Sequence, residues 1–522
     1  MSRPRVALLV AVLVCARVAL PPVLVDATWE FHRDELLYFA MGDHLDWFRM
    51  QFPPLLPAIA RASRALVGDG VLAARLPAAL AGGATLLAML VAVRALGGGA
   101  WACAMAALAS LAAPLFVRAS VLMQPVVFDQ LWCAGALLGV VLALVRDAPR
   151  WWLLAGVMFG LGTLTKLSAP LYGALAFAAT LVVPAARAQL RTPWPWLGAA
   201  TALVIGAATF AGQQAHGWPF LAQMAALRAS QLVHVAPGAY LAGQGLMLGG
   251  AAPLAAAGAW WAATGRAGGG AHDGDADARD ARRIAAVRWI GVFATLLVTW
   301  YLVLRGKEYY AGPAYPLLIA AGAVALERVR GARVVVRAGT PALLAATGLA
   351  LLPLGVPLLA PEPMARYAAR VGGTRTNVGA TLALPQDYAD MLGWRAQADT
   401  VARVWRALPP ADRARAAIVA GNYGQAGALA VHGPARGLPY PITPVGDFWA
   451  WGPGPSDGDV ALVVTSEPDA PEWRALWREV RVAAVLRDAR RVPEERAVTV
   501  LLVRGIREPL ATVWRRLGPR WG

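Results

Sequence analysis

Over the first 360 positions, apolar runs of roughly 20 residues alternate with short polar or arginine-bearing stretches. Each run is long enough to cross a bilayer as a helix. The pattern predicts about eleven spans, near 6–25, 76–96, 100–117, 121–145, 151–165, 167–185, 196–213, 240–263, 288–304, 313–327 and 339–360. The first run is read as a span and not a signal peptide, because it continues past Arg17 to Val25 without a small-residue cleavage site. Arg17 is expected to snorkel or to pack between helices. Residues 55–66 set Leu55, Leu56, Ile59 and Leu66 against Arg61 and Arg64, the pattern of a short interfacial helix. Beyond 361 the solvent class changes. Residues 394–408 have a helical period, while Ala416–Ala420, Val460–Thr465 and Val498–Val503 read as strands. Gly421-Asn422-Tyr423-Gly424 reads as a strand-to-helix turn whose spacing fits neither a P-loop nor a dinucleotide fingerprint. The expected fold is mainly α, a polytopic membrane domain at 1–360 with a large first outer loop at 26–75. A small soluble α/β domain at 361–522 follows it.

Hydrophobic residues make up 58% of the 522 positions, above the norm for a soluble domain. The net charge of +17 does not point to nucleic acid, because the arginines sit between apolar runs and not on one face. They sort by side instead. Arg3, Arg5, Arg94, Arg146, Arg150, Arg187 and Arg191 fall in alternate loops, which puts the N-terminus in the cytoplasm. The opposite side then receives 26–75, Arg118, 214–240, 305–310 and, after an odd number of spans, the tail. Residues 265–283, including His272, read as a flexible cytoplasmic linker. Cys15, Cys103 and Cys133 all lie in predicted spans, with no disulfide framework or zinc spacing. Of 48 basic residues only two are lysines, Lys166 and Lys307, which singles them out.

The densest chemistry lies in 26–54. Glu30, His32, Arg33, Asp34, Glu35, Asp43, His44, Asp46 and Arg49 stand there among Trp29, Tyr38 and Trp47. At a membrane edge such a cluster suggests a working site. Arg118, Lys166, Arg228, Arg305 and Lys307 are expected near the same leaflet. Asp129, about two turns into its span, has to pair or face a polar cavity. Charge gathered at one leaflet fits an enzyme acting on an anionic lipid better than a transporter with its site at the midplane. Plainer readings stand beside this one. Asp34 can be a salt-bridge partner of Arg33, Lys166 can snorkel, and the tryptophans can anchor the interface.

His32-Arg33-Asp34-Glu35-Leu36-Leu37-Tyr38, Gly42-Asp43-His44-Leu45-Asp46-Trp47 and Pro53-Pro54-Leu55 resemble the opening of glycosyltransferase family 39. This is the C-type family of protein mannosyltransferases and aminoarabinose transferases. The likeness continues through Arg75-Leu76-Pro77, Gln124-Pro125, Phe128-Asp129, Gly160-Leu161-Gly162, Lys166, Ser168, His216-Gly217-Trp218-Pro219, Gly306-Lys307-Glu308-Tyr309-Tyr310 and Pro313-Ala314-Tyr315-Pro316. It implies the C-type glycosyltransferase fold and a polyprenyl-phosphate-sugar donor. The acceptor would be an extracytoplasmic protein, lipid or glycan, and transfer would invert the anomeric carbon at a bacterial inner membrane. The resemblance makes Asp34 the base and counts Glu35 beside it among the catalytic residues, holding Arg33, a loop partner or the acceptor. Arg33, Lys166, Lys307 and Arg118 become the phosphate-binding candidates, with Asp129, Tyr309, Tyr310 and His216 in support. Trp29, Trp47 and Trp218 are candidates for stacking on a sugar. No cofactor is fixed, and a divalent metal stays open, with His32, Asp43 and His44 as its candidate ligands. One departure stands out. Aminoarabinose transferases carry Glu-Lys just before the two prolines, where this chain has Met50-Gln51-Phe52. Either Arg49 substitutes or the donor contacts differ. The rival readings are a flippase for a lipid-linked sugar and a scaffold that binds envelope polymers.

Overall fold

The computed structural model describes residues 3–266, 276–329, 333–376 and 378–520. Most of the expected linker at 265–283, with His272, lies outside the described residues. The chain forms two compact units, each assembled from three segments. One contains 1–25, 75–211 and 231–358; the other contains 26–74, 212–230 and 359–522. Residues 26–74 thus share a unit with the tail.

In the first unit every predicted span carries a helix. Among the described residues seven helices are long and apolar enough to cross a membrane, including Val71–Ala95, Pro125–Val145, Trp194–Ala215 and Arg333–Gly355. Val10–Leu24, Ala100–Ala112 and Ala169–Val182 are shorter apolar helices, and Trp152–Thr163 is shorter still. Proline sets several boundaries. Pro125 opens its helix, where its missing N–H costs nothing, and Pro114 follows the end of Ala100–Ala112. Arg17 packs between helices and does not snorkel. It is buried, and its guanidinium donates to Ser110 Oγ (3.2 Å), Phe116 O (2.7 Å) and Ser120 Oγ (2.6 Å).

Helices Ala252–Thr264 and Tyr315–Glu327 approach through glycine, since without hydrophobic drive in lipid close backbone packing decides association. A Cβ on Gly322 would fall on the carbonyl of Leu254, and one on Gly258 on that of Leu318. Gly322→Leu is therefore expected to separate this pair. The check is a melting temperature in detergent lowered by several degrees or loss of the monodisperse peak, whereas exposed Leu349→Ala should leave both unchanged.

The second unit is built on a four-stranded sheet with order β1-β2-β4-β3. The strands are β1 Ala417–Ala420, β2 Val460–Thr465, β3 Trp477–Arg487 and β4 Ala497–Ile506. β1 and β2 are parallel, and β4 runs antiparallel to both β2 and β3. Alternate residues fill two cores. Ile418, Leu462 and Leu502 meet Ala398, Val401 and Trp405 of helix Trp394–Ala407 on one face. Val419, Val463 and Leu501 meet Trp473, Trp477 and Trp514 on the other. Strand β3 was not foreseen. Its sequence, WREVRVAAVLR, has no clean alternation, and it is an edge strand whose exposed arginines deter further pairing.

Helix Arg33–Asp43 packs along helix Tyr423–His432. Gly427 permits it, since a Cβ there would come 3.0 Å from the Leu36 backbone. Asn422 caps the second helix by accepting the Gln425 N–H at 2.9 Å. A helix is present at Leu55–Val67, where the sequence led to the expectation of one.

Candidate active site

In the first unit the chemistry gathers around Asp129, five residues into helix Pro125–Val145. The turn that leaves helix Trp152–Thr163 is fixed by the Lys166 N–H on Gly162 O (2.8 Å) and by Trp132 Nε1 donating to Thr165 Oγ1 (3.0 Å). It delivers Lys166 Nζ to Asp129 Oδ2 at 3.2 Å. Ser168 Oγ (3.1 Å) and Tyr172 OH (2.8 Å) donate to the same oxygen. The carboxylate is buried, so these donors are what make its charge tolerable. The ammonium is partly exposed and also lies 5.0 Å above the ring of Tyr310.

Lys307 reaches the same aromatic group from another segment. It precedes the short helix Glu308–Ala314 and its Nζ is 6.0 Å from the Tyr309 ring centre. Tyr309 and Tyr310 meet edge to face at 4.9 Å, and Tyr301 packs on Tyr310 at 5.3 Å. The two lysines of the chain therefore flank one tyrosine pair. Fixed cations on aromatic faces in a low-dielectric setting suit a phosphate group. Arg118 is in helix Pro114–Ala119 of the same unit, half-buried.

In the second unit the motif HRDE opens a helix, which a reading of the segment as a loop did not foresee. His32 is the N-cap: its Nδ1 accepts the Asp34 N–H (3.1 Å), and Glu35 accepts the His32 N–H (2.9 Å). This is a capping box with histidine in the usual serine place. It gives Glu35, fully buried, a structural duty. Asp34 Oδ1 accepts from Tyr423 OH at 3.0 Å. Burial, with the Asp34 carboxylate beside it, raises the Tyr423 phenol well above its ordinary range, so it remains a donor.

Arg33 faces carboxylates where a phosphate ligand was expected. Its Nε is 2.8 Å from Asp390, with Glu494 at 3.1 Å and Glu495 at 3.9 Å. Burial works against its charge, yet these anions, Asp390 foremost, hold the guanidinium well above its ordinary value. An arginine so neutralised has little field left for a phosphate.

His32, Asp43 and His44 do not fit a shared metal. The first sits at one end of helix Arg33–Asp43 and the others at the opposite end, about 16 Å away at 1.5 Å per residue. Asp43 instead pairs with Arg64 (2.8 Å), and His44 stacks on Trp451 at 4.1 Å. His216 places Nε2 2.6 Å from Arg49 O, so its ring serves the backbone of the 26–54 segment. Trp29 is buried and edge-on to Tyr388, unavailable to a sugar, whereas Trp47 and Trp218 are exposed.

The departure at Met50-Gln51-Phe52 has a structural counterpart. Gln51 is buried, and its N–H (2.7 Å) and that of Phe52 (3.3 Å) donate to Asp447. Burial pushes the Asp447 carboxyl up to about 7, against the pull of those two N–H groups. A carboxyl whose pKa rises on folding stabilises the fold fully below its unfolded pKa of about 4, and that contribution is lost as the pH climbs through 7. The melting temperature should therefore fall between pH 5 and pH 8. Asp447→Asn, which titrates in neither state, should flatten that slope; an unchanged slope would contradict the assignment.

Sequence reasoning did not single out Tyr172, Tyr301, Asp390, Glu495 or the role of Tyr423. Only the position of Tyr423 just after a strand hinted at it.

Residues 51–210 match the family described as dolichyl-phosphate-mannose-protein mannosyltransferase. No curated protein matches the chain in sequence. Among solved structures, ArnT from Cupriavidus metallidurans in the apo state aligns with a TM-score of 0.61 at 17% identity, over 95% of this chain and 97% of that one. The same protein bound to undecaprenyl phosphate aligns with a TM-score of 0.59 at 17% identity, over 96% and 98%. At that identity the likeness is one of fold, and the family match adds the sequence signature. Together they show that the chain has the membrane fold of the C-type glycosyltransferase ArnT, and that residues 51–210 are similar to the protein mannosyltransferase family.

Proposed function

We propose that the protein transfers a sugar from a polyprenyl-phosphate-linked donor to an acceptor outside the cytoplasm, in a bacterial inner membrane. The observation that carries this reading is the pair of lysines around Tyr309 and Tyr310, with Lys166 anchored by Asp129. Undecaprenyl phosphate bound to ArnT, on the same fold, supports it.

In the proposed step an acceptor hydroxyl oxygen attacks the anomeric carbon. The bond from that carbon to the phosphate oxygen breaks, and its electrons leave with polyprenyl phosphate. Lys166 and Lys307 stabilise the charge that grows on the phosphate. Asp34 takes the hydroxyl proton, and one displacement inverts the anomeric centre. Tyr423, donating to one carboxylate oxygen of Asp34, orients the other for that proton.

The test is to offer purified protein a panel of polyprenyl-phosphate sugars and to follow released polyprenyl phosphate by mass spectrometry. Release that requires an acceptor supports transfer. Movement of intact donor between leaflets, with no release, would replace this reading by a flippase.

A further inference from the structure

The sheet of the second unit contains a point where the chain diverges. After β1 it enters helix Tyr423–His432, whose Leu429 joins the core on one face. After the parallel neighbour β2 it enters helix Pro471–Leu476, whose Trp473 joins the core on the other. In α/β sheets, ligands bind in the crevice outside the carboxyl ends of two such strands. A cavity of about 300 Å³ lies at this place, walled by the residues that follow β1 and β2.

We infer that this cavity is a saccharide subsite, which takes a neutral or amino-bearing sugar unit of the acceptor. Its floor is apolar and fixed. Trp473, Trp477 and Trp514 line it, and their indole N–H groups donate to Glu467 O (2.8 Å), Gly458 O (2.9 Å) and Trp449 O (2.9 Å). The three rings are all but buried in the core, 8%, 2% and 5% exposed, so they give the cavity a narrow strip of carbon surface for the C–H side of one pyranose and no open stacking platform. Its rim is polar. The side chains of Ser466 and Glu467 make no hydrogen bond or ion pair among the described residues. Glu472 pairs with Arg520 (3.4 Å) and Glu494 with Arg33 (3.1 Å). An apolar floor with a few convergent polar groups is the usual form of a small-ligand site, and this volume is at the small end of the range, fit for a single ring.

The charge narrows the ligand further. Glu467, Glu472 and Glu494 outnumber Arg33 and Arg520 on the lining, which disfavours a phosphorylated or carboxylated sugar. Tyr423, whose hydroxyl holds Asp34, is also on the wall. A sugar here would sit beside the proposed base without being the reacting unit. The role in the reaction rests on the transferase reading; the binding itself does not.

The experiment uses the full chain in lipid nanodiscs and saturation-transfer NMR. The probes are methyl mannoside, N-acetylglucosamine, glucosamine, mannose 6-phosphate and a tetrapeptide. The expected result is signal from the neutral and amino sugars alone, weakened at least tenfold in Kd by Glu467→Gln with Ser466→Ala. Both positions are on the rim, so the fold should persist, and an unchanged melting temperature checks that. Asp34→Asn should bind these sugars like the parent. The inference falls if no sugar binds, if the rim variant binds as well as the parent, or if mannose 6-phosphate or the peptide is preferred. Transfer retained by Asp34→Asn would sink the assigned base and leave the subsite standing.

Discussion

Replacing Asp34 with Asn is expected to lower the rate of polyprenyl phosphate release by roughly 10²–10⁴, the range that a general base supplies. The substitution keeps the shape of the side chain and an oxygen able to accept from Tyr423. What it removes is the capacity to take a proton. It also removes a negative charge from the first turn of helix Arg33–Asp43, which costs about 0.3–1 kcal/mol at a helix N-terminus. Membrane insertion and the melting profile should therefore stay close to those of the parent. Transfer that persists at the parental rate would take Asp34 out of the chemistry.

The second large effect is expected at Lys166. Changing it to Met keeps most of the stem but removes the cation, and loss of one fixed group of an oxyanion-type clamp typically lowers turnover by about 10²–10³. Unlike Asp34→Asn, this variant should also lose stability. It leaves Asp129 buried with hydroxyl donors but no counter-charge, and breaking such a pair from one side is costly. The double variant Lys166→Met with Asp129→Asn separates the two effects. It should recover the melting temperature and remain inactive. Recovery of activity along with stability would mean that Lys166 serves only to neutralise Asp129.

The membrane helices were legible because apolar length is a local property, and so were β1, β2 and β4. The meeting of the two lysines in the first unit was partly legible too. Lys166 and Lys307 stood out as the lone lysines, and the structure brings both to one tyrosine pair. The surroundings of Arg33 were not legible. Its carboxylate neighbours Asp390, Glu494 and Glu495 lie more than 350 positions away, and no local period signals a contact at that separation. The same distance hid Tyr423 from Asp34. Segment 26–54 was rich in chemistry on paper, yet several of its groups turn out to be caps and clamps. Glu35 caps the start of a helix, and the backbone after Arg49 is gripped by Asp447.

The second unit is spliced from segments far apart in the chain, and this sets an order of events during synthesis. Glu30 is waiting for Met391, whose carbonyl receives its N–H at 3.1 Å, and for Arg395, whose N–H meets its carboxylate at 2.9 Å. At about 5–20 residues per second the ribosome needs tens of seconds to deliver those partners. Until then the early segment lacks the tail residues that its helix faces and charges meet in the folded unit. Truncation near position 380 should consequently strip the early loop of its shape even though every codon for it is intact.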